Sequence, residues 1–495
     1  MQQAAAADKP AHVFDRAAEW SALAGFTGRP SPHALLGIVS GRRRMGKTYL
    51  LRALVEERGG FYFGATAATA TESLRQFGAA LAEYAGSPVP FSFATWDDAV
   101  SYLFGLAVPG RGEGPALFVI DEFPYLAKAA PELPSLIQRE IDRFQAEESR
   151  MRLLLCGSAM SVMGGLLAST APLRGRAQLE LVVQPFGYRP AAAFWGVAHS
   201  PALAVRLHAV LGGTPAYRRQ FLADDVPEGL DDFDDWVCRT VLSPFSPLFR
   251  EARYLLAEEA DIRETALYHS VLAAVAGGNA TRGGIANYIG RKSVDISHPL
   301  NVLEDSHLLT REPDVFRAGR SSYRITEPLI TFYEAVMRPA WERLESGQAA
   351  AVWAQSAERF AAQVAGPHFE ALCRTYLLGP GSSLLGGSLG TVGSGVVTDP
   401  TARRQLEIDA AVVEPGSGGS RASVTALAEA KWGTVMGLPH LEKLRRATEL
   451  LARRGMDTSG CRLVCFSAAG FSDALRTEAA RDGGLFLVGL DELYG

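Results

Sequence analysis

The chain is short of cysteine, of net charge and of long apolar runs. It has five cysteines in 495 residues. Cys156, Cys238 and Cys373 stand singly, and Cys461 and Cys465 have no His or Cys partners at metal-site spacing. A disulfide scaffold and a zinc module are therefore not expected; reduced thiols in a cytoplasmic protein are. A formal net charge of -5 argues against a wholly basic nucleic-acid coat, although it leaves room for a local basic patch. No apolar run is long and clean enough to span a bilayer, so no membrane partner is expected. The opening MQQAAAADKP lacks the basic start and apolar core of a signal peptide and reads as a loose tail.

What the chain has in quantity is length and alternation. At 495 residues it exceeds one ordinary core, so two to four domains are expected. From residue 14 to about 220, short apolar runs alternate with helical spacing. LLGIVS (35–40), GFYFGAT (60–66), ALFVID (116–121), RLLLCGS (152–158) and LELVV (179–183) read as strands, with helices over 70–85 and 133–147. Continuous apolar runs of this length suit strands buried on both faces, which is the pattern of a parallel sheet with crossover helices. DDVPEGLDDFDDW reads as a linker. After it come helices over 262–276, 281–290 and 293 onward, then two short strands, the plan of a winged helix-turn-helix. Beyond 355 come a helix, a glycine-rich stretch over 379–395 too flexible for a regular element, and strands at 406–414 and 423–432 joined by PGSGGSR. Helices and strands then alternate to the end.

Gly41, Arg42, Arg43, Arg44, Met45, Gly46, Lys47 and Thr48 fit G-x-x-x-x-G-K-[ST], with a buried strand before them and a helix opening through Tyr49 after them. A polyphosphate needs inward-pointing amides, a positive helix end and a lysine with reach, and glycines let the backbone curl around the anion. Lys47 is expected on the β and γ phosphates and the Thr48 hydroxyl on Mg²⁺. In ALFVIDEF, Asp121 and Glu122 follow a buried strand. There Asp121 can hold Mg²⁺ through water and Glu122 can polarise an attacking water, although two solvated acids would look the same. ATP and Mg²⁺ are the expected ligands.

A second group stands near the other end. Glu429 and Lys431, two apart on one strand, share a face, and Asp409 on the preceding strand can pair alongside them. Two carboxylates and a lysine can hold Mg²⁺ and orient a water, and Glu370 on the preceding helix can add an oxygen. Acid–base alternation on an exposed sheet face is the plainer alternative.

GRRRMGKT, LFVIDEFPYL, LLLCGSAMSVM, PLRGR and LGGTPAY together resemble the archaeal-type ATPases, a branch of the STAND group of AAA+-related P-loop proteins, over most of residues 14–340. That resemblance implies a γ-phosphate sensor at Ser158, a charge-neutralising arginine at Arg176, and packing of Gly213 and Pro215 near the nucleotide. Arg174 stands where the family has a tyrosine-like residue. It also implies that the winged helix packs on the ATPase module as a relay; the basic Arg311, Arg317, Arg320 and Arg324 keep DNA contact open, against an acidic recognition helix. Residues 355–495 resemble the PD-(D/E)XK nucleases, which implies catalytic Asp409, Glu429 and Lys431 and a helix glutamate at Glu370. The expected fold is thus α/β. A P-loop parallel-sheet ATPase domain spans 12–225, a helical and winged-helix domain 226–345, and a restriction-endonuclease-like domain 355–495. Two functions follow from it. One is an ATP-hydrolysing switch coupled to a Mg²⁺-dependent nuclease acting on DNA or RNA. The other is a regulatory or scaffolding ATPase whose last domain binds without cutting. An arginine acting in trans would require a homo-oligomer.

Overall fold

The computed structural model describes residues 8–110, 115–168, 170–257, 264–387, 390–416 and 421–495. Residues 1–7 of the expected tail, 388–389 of the glycine-rich stretch and 417–420 of the expected hairpin loop lie outside them. The chain divides into two compact units. The first holds residues up to Pro185 with Thr214–Ala216, and the second holds Phe186–Gly213, Tyr217–Ala257 and the remainder to Gly495.

The first unit is built on five parallel strands: β1 (Leu35–Ser40), β2 (Phe61–Gly64), β3 (Ala116–Asp121), β4 (Met151–Gly157) and β5 (Ala177–Val182). Their order is β2-β3-β4-β1-β5. Alternate residues of the same strands feed two separate cores. Leu36, Ile38, Phe118, Ile120, Leu153 and Leu155 enter one, and Leu35, Val39, Leu117, Val119, Leu154 and Cys156 enter the other. Burial on both faces explains why these strands read as unbroken apolar runs. Because all five run the same way, the carboxyl ends of β1, β3 and β4 share one edge of the sheet. Ligands of such sheets gather along that edge.

The second unit begins earlier than the expected boundary at 225. Helices Tyr188–Trp195 and Pro201–Leu211 join a helical core with Phe233, Trp236 and Val237, each 0% exposed. The DDFDDW stretch is accordingly no linker. It forms the helix Phe233–Arg239, whose aromatics face inward while Arg239 ties Asp225 to Asp232 at the surface. Helices Thr265–Ala276, Arg282–Ile289 and Ser297–Asp305 follow, then the antiparallel pair β6 (Leu309–Pro313) and β7 (Ser321–Ile325).

A second sheet in this unit has the order β12-β11-β10-β9-β8. Its strands are β8 (Thr391–Asp399), β9 (Arg404–Glu414), β10 (Ser423–Lys431), β11 (Arg462–Ser467) and β12 (Leu485–Val488). β8, β9 and β10 pair antiparallel, and β10, β11 and β12 pair parallel. The helix Gly366–Leu378 packs on one face and the helix Leu438–Arg453 on the other. The strand β8 corrects the expectation that 379–395 holds no regular element. Its glycines are there for closeness: a Cβ on Gly393 would lie 2.6 Å from Val315 and one on Gly395 2.5 Å from Phe316. The turn of the β6–β7 pair thus lies on this sheet's edge strand, with Val315 N donating to Ser394 O at 3.1 Å.

Candidate nucleotide site and a second acidic site

The loop Gly41–Gly46 runs from the end of β1 into the helix Lys47–Arg58. Gly41 adopts φ 147° and Gly46 φ 85°, both in the region glycine favours. A Cβ on Gly41 would meet the Val183 carbonyl oxygen at 2.5 Å, so the curl closes only with glycine there. Arg44 also sits at positive φ, 74°. The Met45 side chain is buried in the core beneath the loop, and its carbonyl accepts from Arg16 Nη2 at 3.0 Å. Tyr49 faces outward, 56% exposed, with its hydroxyl donating to His12 O at 3.3 Å. Pro215 stands at the loop, 3.8 Å from where a Gly46 Cβ would be.

Lys47 is buried, and its Nζ donates to the carbonyls of Gly41 (2.6 Å) and Arg42 (2.8 Å) inside the curl. Burial lowers its pKa, and Glu122 and Asp121 partly oppose that. Thr48 Oγ1 donates to Asp121 Oδ2 at 2.7 Å, and Tyr62 donates to the same oxygen at 2.7 Å. The second Asp121 oxygen accepts from Glu122 N at 2.9 Å. Burial would raise the pKa of Asp121, but these bonds outweigh it and hold the carboxyl below its ordinary range. A hydroxyl paired with an ionised carboxylate is a hard-oxygen donor set, which suits Mg²⁺.

Glu122 leaves β3 at φ 53°, a left-handed conformation for a non-glycine residue. Its two oxygens accept from Ser158 Oγ at 3.1 and 3.0 Å, and Ser158 follows β4. Arg43 Nε donates to that Oγ at 3.4 Å and Arg43 Nη2 to Tyr125 Oη at 2.6 Å.

The structure does not bring Arg176 to this group. Arg176 precedes β5, whose first residue pairs with Leu36 near the start of β1. Five residues of strand separate that level from Gly41, roughly 15 Å at the usual rise. The Arg176 guanidinium instead pairs with Asp142 at 2.6 and 2.8 Å.

In the second unit, β9 and β10 bring Asp409, Glu429 and Lys431 together. Lys431 Nζ lies 2.7 Å from Glu429 Oε1 and 3.5 Å from Asp409 Oδ2, and Ala430 N donates to Asp409 Oδ2 at 2.9 Å. Lys443, on the helix Leu438–Arg453, takes the other Glu429 oxygen at 2.5 Å. Burial and the Asp409 and Glu429 carboxylates push the Glu370 carboxyl up to about 7, against Arg374 and Lys431. Burial and Glu429 also raise Asp409. Burial would lower Lys431, but Asp409 and Glu429 outweigh it and raise its pKa. Among the described residues, no three His, Cys, Asp or Glu side chains form a group that could hold a metal. The expected set of Glu370, Asp409 and Glu429 is electrostatically one cluster, in which Lys431 and Lys443 hold Glu429 and Lys431 also faces Asp409. A metal ion at Glu429 would have to displace Lys431 or Lys443.

Three contacts lay beyond sequence reasoning. Tyr62 and Tyr125 look like core aromatics in the chain, and Lys443 like any lysine on a solvated helix face. The β2–β3 pairing brings Tyr62 to Asp121, the fold of the Gly41–Gly46 loop brings Arg43 to Tyr125, and the packing of a later helix brings Lys443 to Glu429. Of the four basic residues near the β6–β7 turn, Arg311 bonds Ser321, Arg324 pairs with Glu312, and Arg317 donates to Thr398.

No family profile matches the chain. The uncharacterized protein MJECL04 of Methanocaldococcus jannaschii is 28% identical over 317 residues, 63% of this chain and 66% of that protein, just under two thirds of its length. Among solved structures, the Walker-type ATPase paby2304 of Pyrococcus abyssi is 18% identical, with a TM-score of 0.46 over 65% of this chain and 96% of its own. The ORC2 protein of Aeropyrum pernix is 14% identical, with a TM-score of 0.37 over 66% and 89%. Likenesses this loose leave function to the geometry of the chain itself.

No helix among the described residues is long and apolar enough to cross a membrane.

Proposed function

We propose that the first unit binds and hydrolyses ATP with Mg²⁺, and that this turnover switches a nuclease-like domain at the carboxyl end. The observation that carries the ATP reading is the Thr48–Asp121 pair standing beside a glycine-closed curl that holds the Lys47 ammonium. The amides of the curl and the first turn of the Lys47–Arg58 helix would cradle the phosphates, with Lys47 offsetting their charge. Thr48 and Asp121 would hold Mg²⁺, which would supply charge neutralisation to the phosphates when bound. Glu122 would accept hydrogen bonding from the attacking water, once Ser158 gives up its hold on that carboxylate. Ser158 would then report the γ-phosphate.

The three helices and the β6–β7 pair we read as a winged helix that works by packing. The engagement of Arg311, Arg317 and Arg324 within the protein supports that role over DNA contact. For the last domain, Asp409, Glu429 and Lys431 on adjacent strands support a phosphodiester site. The double lysine clamp on Glu429 favours a second reading, in which this domain binds nucleic acid or protein and does not cut.

The test is incubation of the full chain with linear DNA, plasmid and RNA in Mg²⁺ or Mn²⁺, with and without ATP, beside Lys431→Ala and Lys47→Ala. Cleavage that disappears in Lys431→Ala and changes with ATP only when Lys47 is present is the expected result. Normal ATP turnover with no cleavage of any substrate would select the non-cutting reading. Calorimetry with Mg²⁺ and ATP that shows binding to the parent chain and none to folded Lys47→Ala completes it; no binding to the parent would remove the ATP reading altogether.

A further inference from the structure

We propose that Arg43 is a catalytic residue of ATP hydrolysis acting within its own chain, its guanidinium contacting the γ-phosphate and offsetting charge on the transferred phosphoryl group. This role presupposes the ATP site described above and supplies the cation that Arg176 cannot bring to it.

Three placements argue for it. Arg43 is part of the loop itself, so any phosphate seated in the curl lies within reach of its side chain. Its guanidinium touches Ser158 at 3.4 Å and Tyr125 at 2.6 Å, and Ser158 in turn holds both Glu122 oxygens. The guanidinium therefore stands at the carboxyl edge where β1, β3 and β4 end, between the loop and the group that would orient water. Arg176, by contrast, lies near the opposite end of β1 and is held by Asp142.

The chemistry requires such a cation. The oxygen of water bonds to the γ-phosphorus. The bond from that phosphorus to the β–γ bridging oxygen breaks, and ADP leaves with its electron pair. The water proton passes to the Glu122 carboxylate and on to solvent, leaving inorganic phosphate. Negative charge moves onto the bridging oxygen and remains on the three equatorial oxygens. A planar guanidinium fork matches two of those oxygens at once, whereas the compact ammonium of Lys47 serves as a point charge. Tyr125 and Ser158 are positioning residues in this scheme, keeping the fork at the edge.

The experiment uses the full chain and its Arg43→Ala, Arg43→Lys and Lys47→Ala variants, with folding checked by circular dichroism and thermal melting. Arg43→Ala should bind a non-hydrolysable ATP analogue within about fivefold of the parent, while kcat falls by about 100-fold or more, as for loss of an arginine that acts in the transition state. Arg43→Lys, the variant that keeps the charge and protects against a folding failure, should remain at least about tenfold slow, because a lysine lacks the fork. ADP with aluminium fluoride should form a long-lived complex with the parent and none with Arg43→Ala. A mixture of Arg43→Ala and Lys47→Ala chains should regain no turnover, since cation and site belong to one molecule. Near-parental kcat in Arg43→Ala, analogue affinity lost in step with turnover, or activity regained on mixing would each overturn the proposal. A parent chain that binds no nucleotide would be a different failure, that of the ATP site itself.

Discussion

Glu122 stands in a backbone conformation that non-glycine residues avoid, with its carboxylate held by Ser158. Strain of this kind costs on the order of 1–3 kcal/mol and persists where the surroundings enforce it. Glu122→Gln keeps the shape and removes the proton acceptor, so analogue binding should stay within about threefold while kcat drops by about 100-fold. Steady-state kinetics beside calorimetry checks this, and unchanged kcat would take Glu122 out of the mechanism. Glu370 makes a different prediction. Its carboxyl titrates near 7 in the folded protein, because burial and its carboxylate neighbours disfavour the charge. The unfolded chain releases that proton near the ordinary range for glutamate, about 4.3. Between those values the folded state binds the extra proton, so this residue's contribution to stability is present at low pH and is lost as pH rises through 7. Glu370→Gln should therefore gain on the parent in thermal midpoint between pH 5 and pH 8. Parallel curves across that range would show that Glu370 titrates normally.

The β6–β7 pair and strand β8 act as one element. Val315 and Phe316 fill the space that Gly393 and Gly395 leave, and Arg317 reaches Thr398. Glu312 on the same pair lies 3.5 Å from Arg374, which also donates to Asp409 O at 2.8 Å. The hairpin thus touches the scaffold of the second acidic site. Gly395→Val should force the turn off this edge at a cost of about 1–3 kcal/mol, as overpacking usually does. Hydrogen exchange should then quicken over residues 313–320 and stay slow over β10 and β11; no change at 313–320 would mean the glycine is not needed for contact. This element was illegible in the chain, because glycine-rich sequence signals looseness and close approach with the same residue. The parallel strands were legible for the opposite reason. Burial on both faces leaves an unbroken apolar run, and β1 at Leu35–Ser40 and β3 at Ala116–Asp121 coincide with theirs.

Across the whole molecule, the position of Arg176 bears on assembly. It stands at the amino edge of the first sheet, away from the phosphate loop of its own chain. With Arg43 supplying charge in cis, turnover per chain should not rise with protein concentration, and Arg176→Ala should keep kcat within about threefold, as expected for a solvated ion pair. Turnover that climbs with concentration and collapses in Arg176→Ala would instead establish a shared site between copies. Local order along the chain decided the loop Gly41–Thr48, the acids that end β3 and the E-x-K strand, because each lies within a few residues where spacing alone sets which groups share a face. Tertiary structure alone decided that Arg43 meets Ser158, that Arg176 does not, and that Lys443 clamps Glu429. Those contacts join segments 14 to 115 residues apart, whose meeting depends on strand order and helix packing, neither of which spacing encodes.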